Sequence, residues 1–261
     1  MMDHYRIYKH AWVYNGAPHC EQRLSSNSIQ TMLGQGGWMI RNTYDFDTKE
    51  PTDFWYVIKD QFGDMQELST KTRNQVRRGL SNYTIRRISA EEIIQLGYPI
   101  LHEAAESYKI TTQVPSESEF LQRIEHADQS SEFWGAFNKE DQMVAFAINK
   151  INEDCCDYQT LKAIPAAMKN YVYYALIYEM NRYYLQERKF KYVLDGARSI
   201  TEHSNIQPFL EEKYNFRKAY CHLKMYYKWW FGLLVRCLYP FRRFIKNNRI
   251  HAVLAMHGMQ C

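Results

Sequence analysis

Cysteine is scarce and stands in no metal-binding spacing. The 261-residue chain has six Cys, and none belongs to a Cys-x-x-Cys pair or to a Cys…His pattern of the kind that binds zinc. Cys155 and Cys156 are adjacent, which suits neither a disulfide between them nor a zinc knuckle. Because no basic residue is next to either, we interpret both as buried strand residues rather than nucleophiles. We expect reduced thiols, an intracellular protein and no metal.

Long apolar runs are absent as well. Residues 1–6 lead into no apolar run, which predicts that there is no signal peptide. The longest candidate for a membrane span, residues 229–235, is interrupted by Arg236 and is far shorter than the roughly 20 apolar residues that a span needs. Hydrophobic residues make up 46% and charged residues 24% of the chain, which excludes a disordered protein. We therefore expect a cytoplasmic, globular protein.

Acidic residues are missing from two stretches. Residues 213–261 contain ten Lys or Arg and no Asp or Glu, and since the whole chain carries +4, the first 212 residues carry −6. A second acid-free stretch, residues 68–90, holds six basic residues. Such asymmetry predicts an anionic partner, which could be a membrane surface, a nucleic acid or a phosphorylated ligand.

The C-terminal stretch combines this charge with aromatic residues. Residues 227–246 include two adjacent Trp, two further Tyr and three Phe. Trp and Tyr favour the membrane interface, while Lys and Arg reach anionic headgroups. The pattern predicts a protein peripherally attached to the inner face of a membrane. Two alternatives stay open: residues 229–238 could pack as a C-terminal helix on the domain or on a second subunit in a homodimer, or the segment could bind nucleic acid.

Hydrophobic periodicity and turn signals predict the order β, α, α, α, β, β, β, α, β, α, β over residues 83–226. Predicted strands are 38–41, 54–59, 83–88, 132–137, 143–151, 155–163, 192–194 and 216–226. Predicted helices are 69–80, 89–108 with a break at Pro99, 116–127, 168–187, 206–212 and, as above, 229–238. Capping-box spacings at Ser89/Glu92 and Ser116/Glu119 mark two helix starts. We expect an α/β (α+β) fold with a mixed, mostly antiparallel sheet flanked by helices.

The order of elements resembles the GNAT acyltransferase fold. Residues 209–217, Phe-Leu-Glu-Glu-Lys-Tyr-Asn-Phe-Arg, are similar to the late helix-to-strand segment of that superfamily, where a Lys-x-Gly-Phe pattern follows an apolar helix. Asn215 stands where Gly is usual, and Asn is the next-best residue for a left-handed turn. Two further features look more like the Fem-type branch, the peptidoglycan aminoacyl transferases: residues 69–79, and residues 192–197 followed by 206–216.

The resemblance predicts three regions. Residues 83–226 would be a GNAT-like acyltransferase domain. Residues 1–82 would be a strand-rich region with a basic helix, and in a Fem-type protein this region could be a degenerate second GNAT-like half. Residues 227–261 would be the basic aromatic tail.

The resemblance implies an N-acyltransferase that moves an acyl group from acyl-CoA, or a related activated donor, to an amine of a small-molecule or lipid-linked acceptor, such as a cell-envelope or polysaccharide precursor. Glycine, which normally cradles the CoA pyrophosphate, is missing from the equivalent stretch, and Pro165 lacks an N–H. The expected cofactor-binding residues are Ala163, Ile164, Ala166, Ala167, Met168, Lys169 and Asn170. Two alternatives follow: a Fem-like transferase that uses aminoacyl-tRNA, or a non-catalytic GNAT-fold binding protein, since Glu211 stands where a Tyr general acid is usual.

Acyl transfer to an amine requires a base, and Asp195 is the preferred candidate because it ends a short buried strand. Asp157 and Glu211 are the other candidates, and Asp195 could instead cap a turn before Gly196. The expected substrate-binding residues, which could also be solvated polar side chains, are Arg73, Arg77, Arg78, Arg198, His203 and Asn205. The three Arg of the basic helix would hold tRNA or a phosphorylated acceptor.

Overall fold

The computed structural model describes residues 4–106, 114–200 and 206–260, which form ten strands and nine α-helices. The strands are β1 (Tyr5–Tyr8), β2 (Ala11–Tyr14), β3 (Met39–Tyr44), β4 (Phe54–Lys59), β5 (Thr84–Ile88), β6 (Ser131–Phe137), β7 (Met143–Asn152), β8 (Cys155–Ala163), β9 (Tyr192–Ala197) and β10 (Arg217–Tyr227). The helices are α1 (Ser26–Gly34), α2 (Thr70–Asn82), α3 (Ala90–Glu106), α4 (Glu117–Glu125), α5 (Pro165–Lys169), α6 (Val172–Asn181), α7 (Ile206–Tyr214), α8 (Trp229–Leu238) and α9 (Asn248–Gly258). Mostly antiparallel strands flanked by helices confirm the predicted mixed α/β class.

The chain divides into two compact units. Of the described residues, the first unit contains 4–57, 197–200 and 218–260, and the second contains 58–106, 114–196 and 206–217.

The first unit is built on strands β1, β2, β3 and β10. β1 and β2 form an antiparallel hairpin, β2 runs parallel to β3, and β10 pairs antiparallel with β3. Its small core contains Trp12, Met32 and Ile40, all buried. α1, which the sequence analysis missed, closes this core: Ser25 caps it by accepting a hydrogen bond from the N–H of Ser28, and the indole N–H of Trp12 donates to the main-chain oxygen of Met32 over 2.6 Å.

The second unit is built on an antiparallel ladder from β5 through β6 and β7 to β8, to which β9 adds in parallel. Helices α3 and α4 cover one side with a core that includes Ile93, Phe120 and Phe146. Both predicted capping boxes are confirmed, since Ser89 exchanges hydrogen bonds with Glu92 and Ser116 exchanges them with Glu119.

Two helix predictions were wrong. Pro99 does not break α3, which continues through it from Ala90 to Glu106. A Pro inside a helix costs about 3 kcal/mol, and the buried residues Ile100 and Leu101 just beyond Pro99 offset that cost by packing into the core.

The predicted helix over residues 168–187 is three pieces. It is interrupted at Tyr171, whose φ of 67° is left-handed, so that α5 ends before α6 begins. After α6 the chain widens into a π-helix, Arg182–Glu187. Periodicity alone does not reveal either feature, because the apolar spacing of α6 continues across both.

Candidate active site

In the second unit, β8 and β9 pair with each other over only part of their lengths, and we call the region beyond their last pair the opening. The two parallel strands pair only at Cys155↔Tyr192, Cys156↔Val193 and Asp157↔Leu194. β8 then continues to Ala163 and β9 to Ala197 without further pairing to each other. Alternate main-chain N–H and C=O groups of a strand point to its two sides, so those of β8 that do not face β7 line this opening.

A β-bulge in β8 stands at the mouth of the opening. Ile148 is opposite Thr160 and Asn149 is opposite Tyr158, so Gln159 is the extra residue on β8. Bulges bend a strand and are common beside active sites. The Gln159 amide lies 3.4 Å from the Asp157 carboxylate as a hydrogen-bond donor, which ties the bulge to the end of the paired ladder.

Two carboxyl groups meet where the ladder ends. Asp157 is the last paired residue of β8, and Asp195 is the first residue of β9 beyond the ladder. Burial first, and the negative charge of Asp157 second, raise the pKa of Asp195 to about 7, although a hydrogen bond from Gln207 lowers it. The Gln207 side-chain amide also donates to the main-chain oxygen of Asp195 over 3.0 Å. A carboxylate with a pKa near neutrality can take up a proton at physiological pH.

The other candidates of this region have different surroundings. Glu211 lies on α7 one helical turn beyond Gln207 and is half-buried. Tyr214 is buried and its hydroxyl donates to the main-chain oxygen of Tyr174, which removes it as a proton donor. The structure therefore brings Asp157 and Asp195 together, and it places Glu211 on the same face of the neighbouring helix as Gln207.

Cys155 and Cys156 are buried strand residues, as expected. Burial first and Asp157 second raise the pKa of the Cys156 thiol, so it stays protonated. Gln159 and Gln207, the two amides that contact the acidic pair, were not predicted from the sequence. Gln207 is on a predicted helix and Gln159 is on a predicted strand, and neither position has a sequence signal that distinguishes it from a solvated polar residue.

The expected cofactor loop has its main-chain donors already engaged. The N–H of Ile164 donates to Val144, and the N–H groups of Ala167 and Met168 both donate to the oxygen of Ile164. Pro165 has no N–H. Four of the five consecutive positions 164–168 thus have no N–H to offer a pyrophosphate, in contrast to a glycine-rich phosphate loop. The remaining expected residues differ in exposure: Ala163 is buried, whereas Met168, Lys169 and Asn170 are exposed.

A cavity of about 390 Å³ borders this loop. Its apolar lining residues include Val144, Ile164 and Ala167, and Lys139 also lines it. The hydroxyl of Tyr83 donates to the main-chain oxygen of Ala167 over 3.4 Å. The remaining lining residues are Asn82, Asn138, Glu140, Ala166 and Asn170.

The expected substrate-binding residues are separated. Arg77 and Arg78 are exposed on α2, whereas Arg73 donates to the main-chain oxygen of Leu68 and its Nε is buried without a partner. Arg198 belongs to the first unit, where its guanidinium stacks on Trp55 at 4.3 Å.

His203 and Asn205 lie outside the described residues. Within the described part of the chain, no group of His, Cys, Asp or Glu could hold a metal ion.

No protein-family model matches the sequence, and no curated protein is significantly similar to it. Solved structures do share its fold. FemX has a TM-score of 0.55 at 10% identity, over 74% of this chain and 72% of its own. L-PGS from Bacillus licheniformis has a TM-score of 0.54 at 12% identity, over 90% of this chain and 83% of its own.

The C-terminal DUF2156 domain of a protein described as a lysylphosphatidylglycerol synthetase, from Agrobacterium fabrum, has a TM-score of 0.54 at 8% identity, over 89% of this chain and 82% of its own. The fold is GNAT-like and of the Fem type, as the resemblance in the sequence implied. At these identities the similarity shows the fold alone.

Proposed function

We propose that the chain transfers an acyl group from an activated ester donor to a primary amine, at the opening between β8 and β9. The observation that carries the proposal is the position of Asp195 beside Asp157 at the point where the β8–β9 ladder ends. Burial and the charge of Asp157 raise the pKa of Asp195 there to about 7. A purely structural Asp at a strand end is normally stabilised as the anion and titrates near 4.

In the proposed reaction, Asp195 is the general base. The amine nitrogen attacks the donor carbonyl, the new C–N bond forms, and Asp195 accepts the proton that the nitrogen releases. The carbonyl oxygen becomes an oxyanion, and we propose that main-chain N–H groups of β8 beyond Asp157 donate hydrogen bonds to it. The oxyanion then collapses to the amide carbonyl as the C–O bond to the donor breaks. The departing alkoxide takes the proton that Asp195 had accepted, which gives the free hydroxyl of the donor and regenerates the Asp195 carboxylate.

An aminoacyl-tRNA donor is favoured by the loop at residues 163–170. The N–H groups of Ile164, Ala167, Met168 and Asn170 are engaged within the protein, and a donor held through an RNA backbone does not need them. Exposed Arg77 and Arg78 on α2 supply cations for phosphate contacts. The lysylphosphatidylglycerol synthetase domain that shares this fold belongs, by its name, to a protein that makes an aminoacylated lipid, and by this analogy we propose that the acceptor is lipid-linked.

An acyl-CoA donor is the second candidate, and the cavity beside the loop is the observation that favours it. Its volume of about 390 Å³ falls in the range of small-molecule sites, and Lys139 could contact a phosphate.

One pair of binding measurements distinguishes the donors. If the donor is aminoacyl-tRNA, the full chain binds tRNA at low salt, and Arg77→Gln/Arg78→Gln reduces the slope of log affinity against log salt by about 2. The matched control is Arg242→Gln/Arg243→Gln, outside the second unit. If the donor is acyl-CoA, acetyl-CoA or free CoA at 100 times its Kd raises stability by about 2.7 kcal/mol in a thermal shift, and tRNA does not.

Transfer itself is tested with tRNA charged with radiolabelled amino acids and a membrane extract as the source of amines. Asp195→Asn should abolish the appearance of label in the extract while tRNA binding persists. Asp141→Asn, at an exposed turn with a left-handed φ that suits Asn, is the matched control. Equal transfer by Asp195→Asn and by the control would overturn the assignment of the base.

A further inference from the structure

Helix α8 turns apolar side chains to solvent. Val235 is buried, and Phe231 packs against Trp38 with ring centroids 5.6 Å apart. On the opposite face Trp229 is 83% exposed and Leu233 is 59% exposed. A surface helix normally directs its apolar stripe towards the core. The apolar side chains on the outer face of α8 are instead exposed to solvent.

The exposed stripe continues into the 3₁₀ turn that follows, Tyr239–Phe244. Phe244 is 81% exposed and Phe241 is 59% exposed. We call this region the tail surface; its apolar members are Trp229, Trp230, Leu233, Leu234, Phe241 and Phe244. Six large apolar side chains exposed within 16 residues form a patch, whereas scattered exposed side chains are ordinary.

Every Asp, Glu, Lys or Arg in the segment that carries the tail surface is basic. The basic residues of the segment are Lys228, Arg236, Arg242, Arg243, Lys246 and Arg249. There is no Asp or Glu from residue 213 to residue 261. The cations are held outward: Arg236, Arg243 and Lys246 are exposed, while Arg242 stacks on Tyr239 at 4.3 Å.

We propose that the tail surface docks on the surface of an anionic lipid bilayer. Trp and Phe side chains enter the interface between headgroups and acyl chains, and the flanking cations contact the headgroups. α8 has 10 residues and is about 15 Å long, half of the hydrocarbon thickness, so it lies on the bilayer. Among the helices that the structure describes, none is long and apolar enough to cross a membrane.

A second copy of the chain fits the tail surface less well than an anionic bilayer does. A symmetric contact places the same patch against itself, and here it would bring six cations towards six cations with no acidic residue in the segment to pair with them. A lipid surface supplies the missing negative charge and adapts its shape to protruding Trp and Phe side chains. This inference does not depend on the proposed function, because it concerns a different unit of the chain.

The test is co-sedimentation of the purified full chain with vesicles. One set is phosphatidylcholine alone, and the other is an equal mixture of phosphatidylcholine and phosphatidylglycerol. We expect binding to the anionic vesicles that weakens as salt rises towards the molar range, because surface charges are screened. Binding to phosphatidylcholine alone should be weaker by about tenfold or more.

Two variants separate the apolar and charged parts. Trp229→Ala/Phe244→Ala should lower the partition coefficient about tenfold or more, and Leu96→Ala/Val114→Ala, which removes two exposed apolar side chains of the other unit, should not change it. Arg243→Gln/Lys246→Gln should weaken binding to anionic vesicles only. The corresponding control, Arg123→Gln/Lys189→Gln, removes two exposed cations of the other unit and should leave vesicle binding unchanged.

All variants replace exposed side chains, and circular dichroism verifies that they fold. The proposal is overturned if the full chain fails to sediment with anionic vesicles at low salt. It is also overturned if Trp229→Ala/Phe244→Ala binds vesicles as the wild type does. A dimer in sedimentation equilibrium that this variant dissociates, without vesicle binding by the wild type, would instead assign the tail surface to a second copy.

Discussion

The loop at residues 163–170 and the opening between β8 and β9 lie at the two ends of the same stretch of β8, and they differ in how their polar groups are satisfied. In the loop, the N–H groups of Ile164, Ala167 and Met168 all donate within the protein. At the opening, Asp195 has a carboxyl group whose charged form is penalised by burial and by Asp157. Satisfied polar groups stabilise a fold, whereas a destabilised carboxylate is available for chemistry.

The largest effect expected from this difference is on catalysis. Asp195→Asn replaces the carboxylate that accepts the proton with an amide that is not basic. We therefore expect acyl transfer to fall by about 10²- to 10⁴-fold. Transfer of radiolabel from charged tRNA to membrane amines, with Asp141→Asn alongside, measures the loss. A loss below about threefold would place the base elsewhere, with Glu211 the next candidate.

The same substitution should stabilise the protein. The pKa of Asp195 is higher in the folded chain than in the unfolded chain, so ionisation costs folding free energy as pH rises from about 4 to 7. Asn carries no such cost. We expect Asp195→Asn to gain on the order of 2 kcal/mol at pH 8, or roughly 5 °C in Tm, and the gain to vanish as pH falls towards 4. Thermal unfolding across this pH range measures it, and a loss of stability at pH 8 would contradict the account.

A smaller effect should follow from removing the neighbouring charge. Asp157→Asn eliminates the second cause of the raised pKa of Asp195. We expect the rise of kcat/KM with pH, which has its midpoint near 7 in the wild type, to move to lower pH by on the order of one unit. The control is Asp128→Asn, which changes an exposed acidic residue between α4 and β6. An unchanged midpoint would show that the two carboxyl groups do not interact.

A substitution in the loop at residues 163–170 should have the smallest effect. Lys169 is exposed at the end of α5, and Lys169→Gln should change donor binding by less than about threefold, because one solvated cation contributes little. Titration of the variant with tRNA and with CoA checks this. A tenfold loss of CoA binding would show that the loop binds phosphate, and would contradict the view that its polar groups serve only the fold.

Local signals predicted much of the fold. The bounds of β4, β8 and α8 agree with the predicted residues, and both capping boxes form. Asn215 has a φ of 56°, as expected of a residue in the Gly position of a left-handed turn. Such features depend on a few neighbouring residues, and this is why the sequence contains enough information for them.

Features that depend on distant residues were not predictable. The left-handed Tyr171 and the π-helix that ends the next helix interrupt a continuous apolar pattern. Asp195 was selected from the sequence because it ends a buried strand, but its proximity to Asp157 comes from the register of β8 and β9. Gln207 reaches Asp195 from a separate helix. Neither contact has a signature in the residues that flank it.

The titration of Asp195 tests the central claim most directly, because it needs neither donor nor acceptor. Carbon-13 NMR of the Asp side-chain carboxyl groups measures the ionisation of Asp195 from pH 3 to pH 9, and comparison with Asp195→Asn assigns its signal. The reference is an ordinary Asp, whose pKa is about 3.9. The account predicts a pKa of about 7 that falls in Asp157→Asn. A pKa near 4 in the wild type would contradict it and would leave Asp195 as a residue that caps the turn before Gly196.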